Sequence, residues 1–383
     1  MINNNIPQGY KESPLGIIPQ EWEVKRLGEI CAHFKSGINI TSKQISEQSI
    51  YPVYGGNGLR GFADTYTHDG DYVLIGRQGA LCGNINYVSG KNYISEHAIA
   101  VQSLGNIHWL KYKLDFWNLN QFSESSAQPG LSVEKLVRYR LSVPSLPEQQ
   151  KIAEILSVWD EAITKQTQLI TQLETRKRGL MQQLLTGKKR VKGFSGKWEK
   201  VNAGSIFKNV SVKGFNNEEL LSATQDKGML PRNMLETRVT MPSNETNAFK
   251  LVEIGDFVIS LRSFQGGIEY SYFRGIVSPA YTVLKPKIEI VDEFYKYYFK
   301  SYDFIGHLAI AVIGIRDGKQ ISYEDFCFLK IPFPSLEEQT AIANILSAAD
   351  AEIDLAKKKL ASLKKQKKGL MQVLLTGKKR VKI

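Results

Sequence analysis

Apolar residues recur at alternating intervals of four and three along two long stretches of the chain. In the first stretch the pattern falls on Ile152, Leu156, Trp159, Ile163, Gln166, Ile170, Leu173, Lys177, Leu180 and Leu184. In the second it falls on Ile342, Leu346, Ala349, Ile353, Ala356, Leu360, Leu363, Lys367, Leu370 and Leu374. A 3.5-residue period sustained this far is typical of a coiled-coil seam, so each stretch is predicted to be one long helix. At 1.5 Å per residue, residues 148–185 would form about 57 Å of helix.

The two stretches are copies of one sequence, related by a constant shift of 190 residues that carries Pro144 to Pro334. Roughly half of the aligned positions are identical, without a gap. Two copies are too few for a solenoid, which needs at least three stacked repeats. The repeat therefore favours a duplicated half-molecule.

Sequence signals mark both ends of each predicted helix. Ser335 and Glu338 stand at the spacing of a capping box at the start of the second copy. Gly187 and Gly377 each follow a Leu-Leu-Thr segment and suit the position just past a helix C-terminus.

Polar residues interrupt both seams at Lys177 and Lys367, and polar seam residues favour one register at some cost in stability.

Connectivity predicts an antiparallel pair. The first helix leaves one globular region and enters the next, and the second helix must return. The alternative is two separate helices, each packed on its own domain.

The order of segments is domain, long helix, domain, long helix. We expect a first domain over residues 1–143, a coiled-coil helix over 144–192, a second domain over 193–333 and a second helix over 334–383. Each globular region has about 140 residues, close to the commonest domain size. The predicted fold class is α+β: two mixed α/β domains joined by two long antiparallel coiled-coil helices, in a pseudo-twofold, circularly repeated architecture.

The two globular regions share a strand followed by an arginine and a glycine turn. The aligned residues are Gly70, Asp71, Val73 and Arg77 in the first region and Gly255, Asp256, Val258 and Arg262 in the second. The remaining sequence of the two regions differs strongly. Their target ligands are therefore expected to differ as well.

The chain is basic, with a net charge of +12 at pH 7 and a pI of about 9.3. This excess of positive charge favours a polyanionic partner. The alternative is that the charge serves only to keep the protein in solution. The three cysteines are far apart and match no zinc or redox spacing: they are Cys31, Cys82 and Cys327. We therefore expect the protein to be located in the reducing cytoplasm. The N-terminus is polar, so we expect no signal peptide. The sequence contains no run of 18 apolar residues, so we expect no membrane-spanning segment.

Several polar residues lie on predicted glycine turns, where they could read the edges of DNA bases. Arginine can grip guanine O6 and N7, and Asn or Gln can grip adenine N6 and N7. The candidates are Asn57, Arg60, Arg77 and Gln78 in the first region and Arg262, Ser263 and Gln265 in the second. Candidates near the helix junctions are Gln128, Arg138, Arg316, Lys319 and Gln320. A solvated loop or a structural ion pair is the alternative for any one of them.

Basic clusters follow both helices. They comprise Lys188, Lys189, Arg190 and Lys192 after the first helix and Lys378, Lys379, Arg380 and Lys382 after the second. We expect these side chains to contact DNA phosphates or an acidic protein partner.

Catalytic signatures are missing, so we assign no catalytic residue. Leu-Thr-Gly-Lys-Lys resembles a fragment of a P-loop but lacks the first glycine and the final Ser or Thr. The five histidines show no metal-ligand spacing, and we expect no metal site. Glu96 and His97 would allow acid–base chemistry, but the ordinary reading is a polar loop.

The ends of both helices carry the strongest resemblance to a known family. The segments PSLPEQQKIAEIL and PSLEEQTAIANIL, with RGLMQQLLTGKKRV and KKGLMQVLLTGKKRV, resemble the specificity subunit of type I restriction–modification enzymes. YPVYGGNGLRGF and DYVLIGRQGALCG resemble a common form of that family's target-recognition domain.

The resemblance implies a non-catalytic reader of double-stranded DNA. Two target-recognition domains would bind two half-sites, and the helices would set the spacer between them. Two modification subunits would dock on the helices for adenine N6 methylation, and restriction subunits would add translocation and cleavage. S-adenosylmethionine, ATP and Mg²⁺ would then belong to those partners, and this chain would bind no cofactor. The rivals are a DNA-binding coiled-coil scaffold without a methylation role and a self-contained methyltransferase or nuclease.

Overall fold

The computed structural model describes residues 6–79, 81–123, 130–235, 246–311 and 321–383. The chain divides into two units. Unit 1 comprises Met1–Thr167 and Lys358–Ile383, and unit 2 comprises Gln168–Lys357. Both boundaries lie inside the predicted long helices, because each unit takes one part of each helix. This circular division is what a duplicated half-molecule with returning helices predicts.

Unit 1 begins with a long series of strands. They are β1 (Tyr10–Ser13), β2 (Gly16–Pro19), β3 (Glu23–Arg26), β4 (Cys31–Ser36), β5 (Tyr51–Gly55), β6 (Gly58–Ala63), β7 (Tyr72–Gly76), β8 (Ile85–Val88), β9 (Tyr93–Ile94), β10 (Ala98–Ser103) and β11 (Arg140–Val143). Its helices are α1 (Ile107–Trp117), α2 (Val133–Leu136) and the first part of α3 (Leu146–Leu184). The predicted long helix is confirmed as α3, and the predicted segment 144–192 extends two residues before it and eight residues beyond it.

Unit 2 follows the same plan with shorter strands. They are β12 (Glu199–Asn202), β13 (Phe207–Val210), β14 (Leu221–Thr224), β15 (Gly228–Pro231), β16 (Lys250–Val252), β17 (Phe257–Ile259), β18 (Glu269–Tyr270), β19 (Gly275–Val277), β20 (Thr282–Pro286) and β21 (Lys330–Phe333). The helices are α4 (Ala203–Ile206), α5 (Ser263–Gly266), α6 (Asp292–Tyr298), α7 (Tyr302–Ala311), α8 (Tyr323–Phe328) and α9 (Leu336–Leu374), which ends in unit 1.

A four-stranded antiparallel sheet is the centre of each unit. The strand order is β4-β10-β7-β8 in unit 1 and β13-β20-β17-β18 in unit 2. A hairpin covers one face of each sheet: β5–β6 in unit 1 and β14–β15 in unit 2. The mixed α and β content of both domains is therefore confirmed, and the same supersecondary plan occurs twice.

The sheet faces correct one detail of the sequence alignment. Val73 packs into the large core of unit 1 that includes Trp109 of α1, whereas Leu74 faces the hairpin side. In unit 2 Val258 packs on the hairpin side with Leu221 of β14. Because alternate residues of a strand face opposite sides, Val258 lies on the same side of its sheet as Leu74 and on the opposite side from Val73. The predicted alignment of Val73 with Val258 is therefore wrong, because it matches residues on opposite faces.

Aromatic side chains dominate the core of unit 2. The fully buried rings of Phe207, Phe257 and Phe299 lie with their centroids 5.3–5.5 Å apart, in edge-to-face and tilted contacts. Each fully buried ring of this size contributes about 1.5–3 kcal/mol relative to an exposed one. This core joins the sheet to α6 and thereby fixes the position of the loops at its edge.

The two long helices run antiparallel within each unit. In unit 2 Glu174 pairs with Lys357 at 2.8 Å, and Lys177 pairs with Asp350 at 2.5 Å. As the residue number rises on α3, it falls on α9, which defines an antiparallel pair. Unit 1 shows the same order, since Glu148 pairs with Arg380 and Asp160 pairs with Lys367.

The polar residues in the seam belong to a duplicated Lys–Asp–Tyr cluster. In unit 2 Lys177 binds Asp350, whose other carboxylate oxygen accepts a 2.7 Å hydrogen bond from the Tyr297 hydroxyl of α6. The Lys177 ammonium also lies 5.2 Å from the centre of that ring. Each cluster thus connects both long helices with a helix of the globular domain.

Unit 1 repeats this cluster with Lys367, Asp160 and Tyr112 of α1. Lys367 binds Asp160 at 2.5 Å, and the Tyr112 hydroxyl donates to Asp160 at 2.6 Å. The lysines that interrupt the apolar seam therefore fix the domain on the helix pair, in addition to favouring one register.

A Trp–Glu–Arg cluster joins the start of one long helix to the end of the other. In unit 1 the buried Glu148 carboxylate accepts two hydrogen bonds from Arg380, at 2.6 and 2.9 Å, and one from Trp22 Nε1 at 2.8 Å. Gly377 has a φ of +74°, and a Cβ there would lie 3.2 Å from the Trp22 ring. Glycine therefore satisfies both the helix ending and the packing of the tryptophan.

Unit 2 contains the same cluster, formed by Glu338, Arg190 and Trp198. Both Arg190 bonds to Glu338 measure 2.6 Å, and Trp198 Nε1 donates to Glu338 at 2.8 Å. Ser335 Oγ still accepts from Glu338 N at 3.3 Å. The Glu338 carboxylate binds the arginine and the tryptophan, a role that the capping-box prediction did not include.

Within the described ranges, no helix has the length and apolar character needed to cross a membrane.

Candidate nucleic-acid interface

The hairpin tip of unit 1 lies directly against the end of the central strand β7. A Cβ on Gly56 would lie 2.9 Å from the carbonyl oxygen of His97, and one on Gly76 would lie 2.8 Å from the carbonyl oxygen of Gly56. Only glycine permits this close approach of three backbone segments. The glycine-rich sequence therefore brings the hairpin, the β7 turn and the loop at His97 into one loop cluster.

This cluster carries the four candidate base readers of unit 1. Asn57 and Arg60 are exposed on the hairpin, and Gln78 is exposed after β7, where its Oε1 lies 3.3 Å from His97 Nδ1. Arg77 is half-buried, and its backbone N–H donates to the His97 carbonyl oxygen at 2.9 Å. The structure thus places these four residues on adjacent loops, as the glycine turns predict. Their contacts with bases stay predictions.

Unit 2 builds its cluster from different residues. The turn after β17 exposes Arg262 and Gln265, whereas Ser263 is buried and its Oγ accepts from Ser260 N at 2.8 Å. This bond holds the turn in shape. The structure gives the Ser263 hydroxyl an intramolecular role, so the expected base contacts rest on Arg262 and Gln265.

The tip of the second hairpin was missed by the sequence reasoning. Residues 225–227 connect β14 to β15, and a Cβ on Gly266 would lie 3.1 Å from Gln225 Cγ. Gln225, Asp226 and Lys227 therefore occupy the place that the glycine-rich tip occupies in unit 1. The available signal was a polar Gln-Asp-Lys-Gly turn between two apolar segments, with Gly228 at a φ of +74°.

The remaining junction candidates divide into two groups. Arg138 is exposed beyond α2. Gln128, Arg316, Lys319 and Gln320 lie outside the described residues, and their predicted contacts stay predictions.

The basic clusters after the long helices contain both exposed side chains and side chains that form ion pairs. The exposed lysines are Lys188, Lys189, Lys192, Lys378, Lys379 and Lys382. Arg190 and Arg380 instead form the ion pairs with Glu338 and Glu148. A structural ion pair was the alternative for these arginines, and the expected phosphate or partner contacts are left to the lysines.

Across the described ranges, no three His, Cys, Asp or Glu side chains come together in a way that could hold a metal ion. What the two loop clusters offer is hydrogen bonding by Arg, Asn and Gln side chains, and exposed lysines follow both long helices. This chemistry suits the grooves and phosphates of a duplex.

One family model matches the chain twice. The family model described as type I restriction modification DNA specificity domain matches residues 19–175 and again residues 195–365. Each match includes a globular domain and most of the following long helix.

Individual relatives agree with this assignment. The chain is 44% identical to the type I restriction enzyme EcoprrI specificity subunit of Escherichia coli over 159 residues, which span 39% of each protein. It is 26% identical over 434 aligned positions to the putative MjaX specificity subunit of Methanocaldococcus jannaschii. That second alignment covers 98% of this chain and 97% of the relative.

Solved structures show the same fold. The S subunit of a type I restriction-modification system from M. genitalium superposes with a TM-score of 0.60 at 16% identity, covering 98% of both chains. A chain solved in a study of complex assembly and conformational transition of the type I R-M system also gives 0.60, at 17% identity. That alignment covers 94% of this chain and 99% of the other. The resemblance read from the helix motifs is confirmed, and the chain belongs to the type I restriction modification DNA specificity domain family.

Proposed function

We propose that this chain is the DNA-reading specificity subunit of a type I restriction–modification system. The observation that carries the proposal is the loop cluster built twice on the same sheet framework with different polar side chains. Unit 1 presents Asn57, Arg60 and Gln78, and unit 2 presents Arg262 and Gln265. Two readers with different side chains suit a bipartite site whose two halves differ in sequence.

The chemistry of each cluster supports base reading in the major groove. Each good bidentate contact of Arg with guanine, or of Asn or Gln with adenine, gives about 1–3 kcal/mol of discrimination against other bases. The exposed lysines beyond the long helices supply charge for phosphates or for an acidic partner. Affinity for DNA should therefore fall steeply with salt concentration, while discrimination between base sequences should change less.

In the proposed complex each kind of subunit has a different role. This chain selects the site and performs no catalysis, and two modification subunits bind S-adenosylmethionine and methylate one adenine in each half-site. Restriction subunits, with ATP and Mg²⁺, would add cleavage. The fit of the fold to the S subunits and the membership of the family support this division.

A reconstituted methyl-transfer assay tests the proposal. Labelled S-adenosylmethionine and host DNA are incubated with this chain, with a modification subunit from the same host, or with both. We expect transfer only with both proteins, and transfer restricted to one sequence motif. Transfer by this chain alone would show a self-contained methyltransferase. A stable protein complex without transfer would instead favour a DNA-binding scaffold.

A further inference from the structure

One ammonium group connects the two loops that form the candidate interface of unit 2. Lys300, between α6 and α7, donates to Glu269 Oε1 at 2.6 Å and to the Gly266 carbonyl oxygen at 2.8 Å. A third bond of 3.2 Å reaches the carbonyl oxygen of Gln225. Gln225 begins the hairpin tip, and Gly266 ends the turn that carries Arg262. A single side chain therefore holds both loops together.

The position of Glu269 explains why the lysine stays in this place. β18 pairs with β17 so that Glu269 lies opposite Val258, on the sheet face beneath the hairpin. The Glu269 side chain is 3% exposed and that of Lys300 is 24% exposed. Glu269 Oε2 is buried and has no hydrogen-bond partner in the described part of the chain. A buried carboxylate is tolerated when it is paired, so the ion pair ties Lys300 to the underside of the hairpin.

Unit 1 fixes its own hairpin by another means. There Asn86 lies opposite Leu74, on the hairpin side of the sheet, which is the side that Glu269 takes in unit 2. The glycines of the hairpin tip contact the backbone at His97 and Gly76 directly, without a bridging side chain. The tip of unit 2 is Gln-Asp-Lys, whose side chains prevent such a close approach to the neighbouring backbone. The Lys300 bridge connects this tip to the Arg262 turn instead.

We propose that Lys300 and Glu269 are positioning residues for base reading by unit 2. They hold the hairpin tip and the Arg262 turn in one arrangement, so sequence discrimination in the half-site of this unit depends on them. Neither side chain needs to contact DNA. The inference rests on the proposed function, because it assigns the loops of unit 2 to one half-site.

The direct test is Lys300→Met in the complex with modification subunits. Binding is measured at one salt concentration on the cognate duplex and on duplexes with single base pairs changed in either half-site. We expect discrimination to fall about tenfold in one half-site only, within the range of one misplaced base contact. Lys300→Arg should restore most of it, because a guanidinium can donate to the same three acceptors.

A matched control lies one turn away on α6. Lys296 lies over the Tyr272 and Tyr297 rings and makes none of the three Lys300 bonds. Lys296→Met is therefore expected to keep discrimination in both half-sites. Unchanged discrimination in Lys300→Met, or an equal loss in both half-sites, would overturn the inference. If the wild-type complex reads no bipartite site at all, the proposed function fails instead.

A second variant covers the case in which Lys300→Met does not fold. Burial raises the pKa of Glu269 to about 7, with Lys300 favouring its ionised form and Asp226 opposing it. In the wild type, discrimination in that half-site should then be greater at about pH 8.5 than at about pH 6, where the ion pair is lost. Glu269→Gln should remove this pH dependence. An identical pH profile in the two proteins would refute the positioning role.

Discussion

The Trp–Glu–Arg cluster of unit 1 gives the sharpest prediction about stability. Glu148→Gln keeps the shape of the side chain but removes the charge that Arg380 and Trp22 bind. Breaking a buried ion pair costs about 3–5 kcal/mol when the remaining charge stays buried. The Arg380 side chain is 30% exposed, so water can solvate part of it. We therefore expect a cost of about 2–3 kcal/mol.

Hydrogen exchange followed by mass spectrometry can measure this cost in each unit separately. The cluster closes the start of α3 onto the segment that follows α9, so amides near both ends should lose protection. A loss of 2–3 kcal/mol in local stability corresponds to an exchange rate about 30- to 150-fold higher. Amides of unit 2 should keep their rates, because Glu338, Arg190 and Trp198 form their own cluster.

The duplication provides the matched control. Glu338→Gln should move the same loss of protection to unit 2. Adding Arg380→Met to Glu148→Gln should cost less than the sum of the two single changes, because both remove the same interaction. An increase of less than threefold in unit 1, or equal increases in both units, would refute the reasoning.

Three further predictions concern recognition and stability. Arg77→Ala should weaken recognition of one half-site by about 1–3 kcal/mol in binding assays on altered duplexes, and equal losses in both would indicate a folding defect. Inserting one heptad near Gln168 and another near Lys358 lengthens each helix by about 10.5 Å, so the methylated motif should gain a spacer about three base pairs longer. Burial lowers the pKa of Lys113 to about 8, so folding stability should fall as the pH falls from about 9 to 7, by about 1 kcal/mol. Chemical denaturation of Lys113→Met should lack this difference.

The contrary outcomes are equally definite. An unchanged spacer in the heptad variant would contradict the role of the helices in setting it. A Lys113→Met protein that keeps the full pH dependence would place its origin in another group.

The heptad period and the repeat predicted the long helices, their direction and the circular plan, because those features follow from local periodicity and connectivity. Glycine spacing predicted the loop cluster of unit 1, since close backbone approach requires glycine. The hairpin tip of unit 2 was missed because no Asn-Gly or Gly-Gly signal marks it.

Local sequence patterns also could not predict ion pairs between residues that are distant in the chain. Arg380 and Glu148 are far apart in the chain, and only the folded helix pair brings them together. A strand register is equally hard to read when both faces are apolar. Val258 therefore aligned with Val73 in sequence, although it lies on the hairpin side of its sheet, as Leu74 does and Val73 does not.

The most direct test of the account is a map of N6-methyladenine across host DNA, by long-read sequencing, in cells that express this chain with its modification subunit. If this chain is the two-part reader, the map will show one split, asymmetric motif with a fixed spacer and one methylated adenine on each strand. Cells that lack this chain should lack the motif. Methylation at a single undivided site, or the same motif without this chain, would contradict its role as the two-part reader.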